Sequence, residues 1–521
     1  MFSKMLWFTT FILFASIANA EIKLPAIISD NMVLQADFNA PIWGIAAPEN
    51  KIAVNCSWDD EKYITDADAN GKWMIRIKTP KSSGICNITI ACGQESRTIK
   101  NILIGQVWLC SGQSNMQWPV KDSKDAEKEI LEANWPDIRL FTVQRKSSPI
   151  PLEDTIGKWV ICSPENVSEF SAVGYFFGRE IHKKINAPLG LINASFGGTP
   201  AQSWTRKEIL TEDIDLNWYW QRDKKILADK EKFQIEYDQR IKEWEKAKEA
   251  AKDAGKELPK QPRLPNELND KNRSSMLYNA MIHPLIPFAI KGVIWYQAES
   301  NVGDAVLYRK LFPAMIKNWR EDFNQGDFPF YYVQLAGFGK HMKKTSLGKP
   351  DLTVPPDSNR PLLREAQLKT LSLPNTGMVV TIDIGDVNNI HPKNKQDVGK
   401  RLALWALAKD YGFMDIVYSG PLYKNIKIEG DKARISFEHT CSGLMVKGDS
   451  IKGFAIAGAD KKFVWANAKI DGDTVLVWSE QVKKPVAVRY GWADWIDCNL
   501  YNKAGLPTSP FRTDEFSNMA E

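Results

Sequence analysis

Between Lys51 and Cys92 the chain alternates apolar and polar residues in short runs. KIAVNCSW, WMIRIKT and CNITIAC each put every second side chain on one face, the period of a half-buried strand. Asn70-Gly71 between two such runs is a hairpin turn signal. Residues 21–100 therefore predict a small β-sandwich-like domain. From 101 to 414 the texture changes. Continuous apolar runs (VWLCSG, LGLINASF, GVIWYQ, FYYVQLAG, GMVVTIDIG) alternate with helical stretches such as VGYFFGREIHKKI, LYRKLFPAMIKNW and QDVGKRLALWALAKDYG. Fully buried strands alternating with helices predict an α/β domain with a parallel sheet. Its chemistry is expected at the carboxyl ends of the strands. Residues 212–270 interrupt this domain. They are rich in Lys, Glu, Asp and Trp up to Pro259, which predicts a solvated helical arm followed by a returning loop. From 415 to 521 strands return, with Glu429-Gly430-Asp431 and Asp471-Gly472-Asp473 as turns, giving a C-terminal β domain.

Composition adds little to this picture and excludes some function classes. The chain of 521 residues carries 68 basic and 63 acidic side chains, a net charge of +5, so no nucleic-acid footprint is indicated. At the N-terminus, Lys4 precedes the apolar run Met5 to Ile17, and Ala18-Asn19-Ala20 fits a cleavage site. Residues 1–20 thus read as a secretory signal peptide, and the protein is expected to be exported, periplasmic or secreted. No later run is long and apolar enough to span a membrane. Of the seven cysteines, Cys56, Cys86 and Cys92 share the N-terminal segment; one disulfide among them is expected for an oxidising compartment. No Cys/His cluster suggests a metal site, and no cofactor is implied. The 19 tryptophans are read either as core residues or as flat faces for stacking on sugars.

A hydrolase working without a metal needs a general base, and the chain has only five histidines to offer. His182 lies in a charged helical stretch, His283 among apolar residues, His341 in a Lys-rich loop and His439 in the C-terminal β domain. His391 follows a buried strand through the Gly- and Asn-rich loop DIGDVNNIHPKNK, where a catalytic base belongs. The nucleophile candidate is Ser114. It follows the strand-like IGQVWLCSG, whose glycine permits a sharp turn that projects the hydroxyl and aims the Ser114 N–H into an oxyanion hole. Met116 stands where the α/β-hydrolase elbow has its second glycine, which argues against that superfamily.

The segment Gly112-Gln113-Ser114-Asn115-Met116 resembles the nucleophile block of the SGNH hydrolases, in the form typical of the sialate O-acetylesterase family. INASFGGTPAQSW (192–204), GVIWYQAESN (292–301) and DIGDVNNIHPKNKQDVGKRLA (383–403) resemble the other blocks, in the expected order. The N-terminal LPAIISDNMVLQ and the C-terminal GWADWIDCNLYNKAGLPTSPFRTD extend the likeness over nearly the whole chain after the signal peptide. The resemblance implies a three-layer α/β/α SGNH domain between flanking β domains. It implies a serine esterase that removes O-acetyl groups from sugars, sialic acids or acetylated plant polysaccharides. Ser114 is then the nucleophile and His391 the base. The oxyanion donors are the N–H groups of Ser114 and Gly198 and a side-chain amide, either Gln297 or Asn301. Ala298 replaces a usual glycine, narrowing the backbone there. Asn388 and Asn389 stand where relatives carry Asp. Either the site is a Ser–His dyad, or Asp386, in preference to Asp383, orients the imidazole. Trp118 and Trp204 are candidate sugar platforms, and Arg206 and Arg364 candidate partners for a sialate carboxylate. A non-catalytic sugar-binding protein is the competing reading, against which the Ser114 and His391 pair argues.

Overall fold

The computed structural model describes residues 21–516 except Asp357; the expected signal peptide lies outside the described residues. A seven-stranded sheet forms the centre. Its strands are β1 (Glu95–Gly112), β2 (Trp135–Thr142), β3 (Trp159–Cys162), β4 (Leu189–Ser195), β5 (Gly292–Tyr296), β6 (Phe330–Val333) and β7 (Thr376–Val379). The spatial order is β7-β6-β5-β1-β4-β2-β3, parallel throughout except for the antiparallel edge strand β3. The chain lays down β2 and β3 on one side of β1, returns to insert β4 between β1 and β2, and then builds outward through β5, β6 and β7 on the other side. The strand order therefore reverses beside β1, the place where open α/β sheets bind ligands.

Alternation along the strands sends side chains to two apolar layers. Trp108, Cys110, Ile294 and Tyr331 face a layer that includes Tyr175, Phe177, Leu402 and Trp405, from the helices α2 (Ala172–Ile185) and α5 (Lys395–Asp410). Leu109, Val293, Trp295 and Phe330 face the opposite layer, with Tyr308, Phe312 and Trp319 of α4 (Ala305–Phe323). This is the expected three-layer α/β/α arrangement. At Gly399 a Cβ would lie 2.7 Å from the Phe177 backbone nitrogen and 2.6 Å from Phe176 Cβ. Glycine there lets α5 pack backbone to backbone on α2, which fixes the loop ahead of α5.

The boundary expected at residue 100 falls inside one strand. The first half of β1 pairs antiparallel with Cys86–Cys92 of the N-terminal sheet, and the second half pairs with β4 and β5. The insertion is helical as its sequence suggests: Asn217–Ala228 is followed by α3 (Lys230–Asp253), which buries none of its residues. After residue 415 antiparallel pairs follow, among them Leu422–Glu429 with Lys432–Glu438. The expected N-terminal disulfide is corrected: all seven cysteines are free. Cys56, Cys86 and Cys92 are buried strand residues packed as small apolar side chains. Burial pushes the Cys56 thiol up to about 12.

Candidate active site

β1 ends at Gly112, and the chain turns at once into the short helix α1 (Ser114–Gln117). Gly112 has φ 135°, and a Cβ there would stand 2.2 Å from the carbonyl oxygen of Tyr296. Only glycine allows this turn against β5. Ser114 is the first helical residue, so its N–H has no partner within the helix. Its Oγ lies 2.8 Å from Nε2 of His391, a contact across 277 positions of the chain. The loop after β7 carries the imidazole, and its backbone N–H is fixed by Asn389 Oδ1 at 2.9 Å.

The third member expected from the sequence is not Asp386. Its Oδ1 accepts the backbone N–H groups of Asn388 and Asn389 at 2.7 and 2.8 Å, closing an exposed turn, and no hydrogen bond joins it to the imidazole among the described residues. Asp383 is likewise occupied, by both arms of Arg401 at 2.8 and 2.7 Å and by Tyr501. The charges that act on His391 are Lys395 and Glu299. Asn115 joins them. Its Nδ2 donates to Glu299 Oε1 at 2.6 Å and to the carbonyl of Ile390 at 3.1 Å, while its Oδ1 accepts from Lys395 Nζ. One amide thus ties the nucleophile turn, the histidine loop, the loop after β5 and the first turn of α5. Burial and Lys395 hold the imidazole below the usual histidine range, with Glu299 opposing them. Lys395 is 1% exposed. Burial brings its ammonium down to about 7, again against the pull of Glu299.

The predicted oxyanion amides prove to be committed elsewhere. Gln297 donates through Nε2 to Thr199 O and Asn301 Oδ1, and Asn301 donates through Nδ2 to Gln202 and Asp304. Both are fully buried and brace the β4 and β5 loops against each other. The N–H of Gly198, at φ 73° on an exposed stretch of the β4 loop, donates to nothing among the described residues. Gln117 holds the neighbouring N–H of Gly197 at 2.7 Å through Oε1, leaving its own Nε2 without an acceptor among the described residues. Ala298 sits at φ 179°, extended backbone that alanine adopts freely.

The candidate sugar and carboxylate contacts are also redrawn. Trp118 stacks on His391, centroids 4.9 Å apart and planes 24° from parallel, so its face is covered by the imidazole. Trp204 is fully buried, donates to Thr199 Oγ1 and packs edge-on against Trp295. Arg364, equally buried, donates to four backbone carbonyls, those of Leu335, Ala336, Ala493 and Asp494. Arg206 is paired with Glu208, Glu321 and Asp322 and walls a cavity of about 500 Å³ that neither Ser114 nor His391 lines. Both arginines are structural.

The solved carbohydrate acetylesterase from Xanthomonas citri shares 37% identity and superposes with a TM-score of 0.79, over 95% of this chain and 100% of its own. The chain belongs to the carbohydrate acetylesterase family. Within it, the family model for sialic acid-specific acetylesterases among the carbohydrate esterases matches residues 265–408. The sialate O-acetylesterases of Homo sapiens and Pongo abelii are 29% identical over 541 aligned residues, which cover 95% of this chain and 93% of each. This acetylesterase is accordingly a carboxylic ester hydrolase.

Sequence reasoning missed Asn115, Gln117, Glu299 and Lys395 in the acetylesterase site. Each lies inside or beside a motif block, so the signal was present. What it lacked was the pairing of charges across the loops, which only the fold supplies.

Proposed function

We propose that this acetylesterase uses Ser114 as nucleophile and His391 as general base to remove O-acetyl groups from sialic acids. The observation that carries the reading is the 2.8 Å contact between Ser114 Oγ and His391 Nε2, at the reversal point of the sheet. Ser114 Oγ attacks the acetyl carbonyl carbon while His391 takes its proton. The carbonyl oxygen becomes negative and is met by the N–H groups of Ser114 and Gly198, with Gln117 Nε2 as the third donor. Each such donor is worth roughly 3 kcal/mol of transition-state stabilisation. The intermediate collapses, the sugar oxygen leaves with the proton from His391, and the acetyl group remains on Ser114. Water, deprotonated by His391, then releases acetate. Glu299 supplies the negative charge that favours the transient imidazolium, since both aspartates of the histidine loop are engaged elsewhere.

Sialate as substrate is supported by the family model and by the mammalian relatives. Export is supported by the N-terminal apolar run and its small-residue cleavage pattern. The test is hydrolysis of p-nitrophenyl acetate by the wild type and by Ser114→Ala, with a loss of at least about a thousandfold expected in the variant. Activity that survives in Ser114→Ala would reject the assignment. Acetate release from 9-O-acetylated sialoglycan, compared with acetylated xylan, then reads the substrate, with faster release from the sialoglycan expected.

A further inference from the structure

With Arg206 and Arg364 committed to structure, the acidic group of a sialic acid needs another partner. The β4 loop has one beside it. Lys271 follows the helical insertion, in the single turn Asp270–Asn272. Its Nζ donates to the carbonyl of Gly197 at 2.7 Å and lies over the Phe196 ring, 4.5 Å from the centroid. A Cβ built on Gly198 would be 3.8 Å from that nitrogen. A Cβ on Gly197 would be 3.3 Å from Ser114 Cβ. The ammonium thus anchors the glycine pair that packs against Ser114.

Lys271 has no carboxylate partner among the described residues. The one charged group acting on it is a second cation, Arg145, which with burial holds it below the usual lysine range. Arg145 is exposed at the carboxyl end of β2, the neighbour of β4 in the sheet. It makes no ion pair and no hydrogen bond among the described residues. Two mutually repelling cations beside the β4 loop, with no carboxylate partner among the described residues, cost free energy that a bound anion recovers. Lysine and arginine both serve carboxylates, the arginine through a two-pronged fork. In a sialic acid the carbon bearing the carboxylate and the carbon bearing the glycerol arm, which carries the acetyl ester, both flank the ring oxygen, so acid and ester leave the same edge of the sugar. A substrate whose ester carbonyl meets Gly198 N–H can therefore turn its acid group toward this pair.

We infer that Lys271 and Arg145 form the carboxylate-recognition site of this esterase and set its preference for acidic over neutral acetylated sugars. The inference rests on the esterase reading above and goes beyond it in naming the specificity residues.

The test compares kcat/KM for acetate release from 9-O-acetyl-N-acetylneuraminic acid and from its C1 carboxamide, which differ only in the charge. The wild type is expected to favour the acid by about tenfold or more, as for a charge-assisted hydrogen bond. That ratio should fall several-fold in Lys271→Met and in Arg145→Gln, approach one in the double variant, survive in Lys271→Arg, and shrink as salt is raised. Lys271 also holds the β4 loop, so a merely structural role would slow both substrates alike and leave the ratio unchanged, which would overturn the inference. A wild type that turns over both substrates at equal efficiency would overturn it too. An enzyme that hydrolyses neither, nor p-nitrophenyl acetate, would instead remove the esterase reading itself.

Discussion

Lys395 and Glu299 pull the His391 imidazole in opposite directions, and the two can be separated by experiment. Burial, helped by Lys395 beside it, makes His391 shed its proton below the usual histidine value of about 6.5. The acid limb of the kcat/KM profile for p-nitrophenyl acetate is therefore expected below that pH. Lys395→Met removes a neighbouring positive charge, so the limb should move up; a limb that moves down or stays put would contradict the assignment. Glu299→Gln removes the negative charge that favours the imidazolium, so kcat should fall by about ten- to a hundredfold and the acid limb should move further down. The pH–rate profile measures both. The sequence singles out Ser114 and His391, which the fold brings to 2.8 Å of each other, because a serine after a strand–glycine turn and a histidine after a buried strand are local patterns. It misleads on Asp386, Gln297 and Asn301, because a carboxylate or amide near the right place in the chain is as readily consumed by its own loop.

Among the elements, the junction of β1 and α1 tolerates the least change. Gly112→Ala forces a Cβ against the Tyr296 carbonyl at a left-handed φ. It is expected to destabilise the protein by several kcal/mol, on the order of 3, and to abolish turnover, read by thermal melting and by ester hydrolysis together. The opposite holds for α3. With no buried residue over Lys230–Asp253, little tertiary packing supports it. Trypsin should cut there first, and the nicked protein should keep its activity; early cleavage in α2 or α5 instead would contradict this. Strand and helix identities were legible in the period of the apolar residues. The boundary at residue 100 was not, since the edge of a sandwich and the centre of a parallel sheet can share one uninterrupted apolar run.

At the scale of the whole molecule, apolar packing is continuous from Ile52 and Ile88 of the N-terminal sheet through Trp295 and Trp319 to Phe454 and Phe511 near the C-terminus. A single calorimetric unfolding transition is therefore expected; two well-separated ones would show that the parts melt independently. Lys395 gives that transition a pH signature. It holds its proton up to about 7 in the folded protein, and unfolded it would hold it to the ordinary lysine value of 10.5. Between these values the unfolded chain binds more protons, so stability rises with pH across the window. The melting midpoint of the wild type relative to Lys395→Met should climb between pH 7 and pH 9.5.

The strand Glu95–Gly112 has a consequence for descent. A crossover near residue 100, the seam that the residue pattern suggests, would splice half a strand to a foreign neighbour, and the misfit would be felt at the serine two positions past its end. The N-terminal sheet and the hydrolytic half are thus bound to be inherited as one piece. Lineages that shuffle modules around this enzyme should place their joints elsewhere, at the loops flanking Lys230–Asp253 or beyond Asp410.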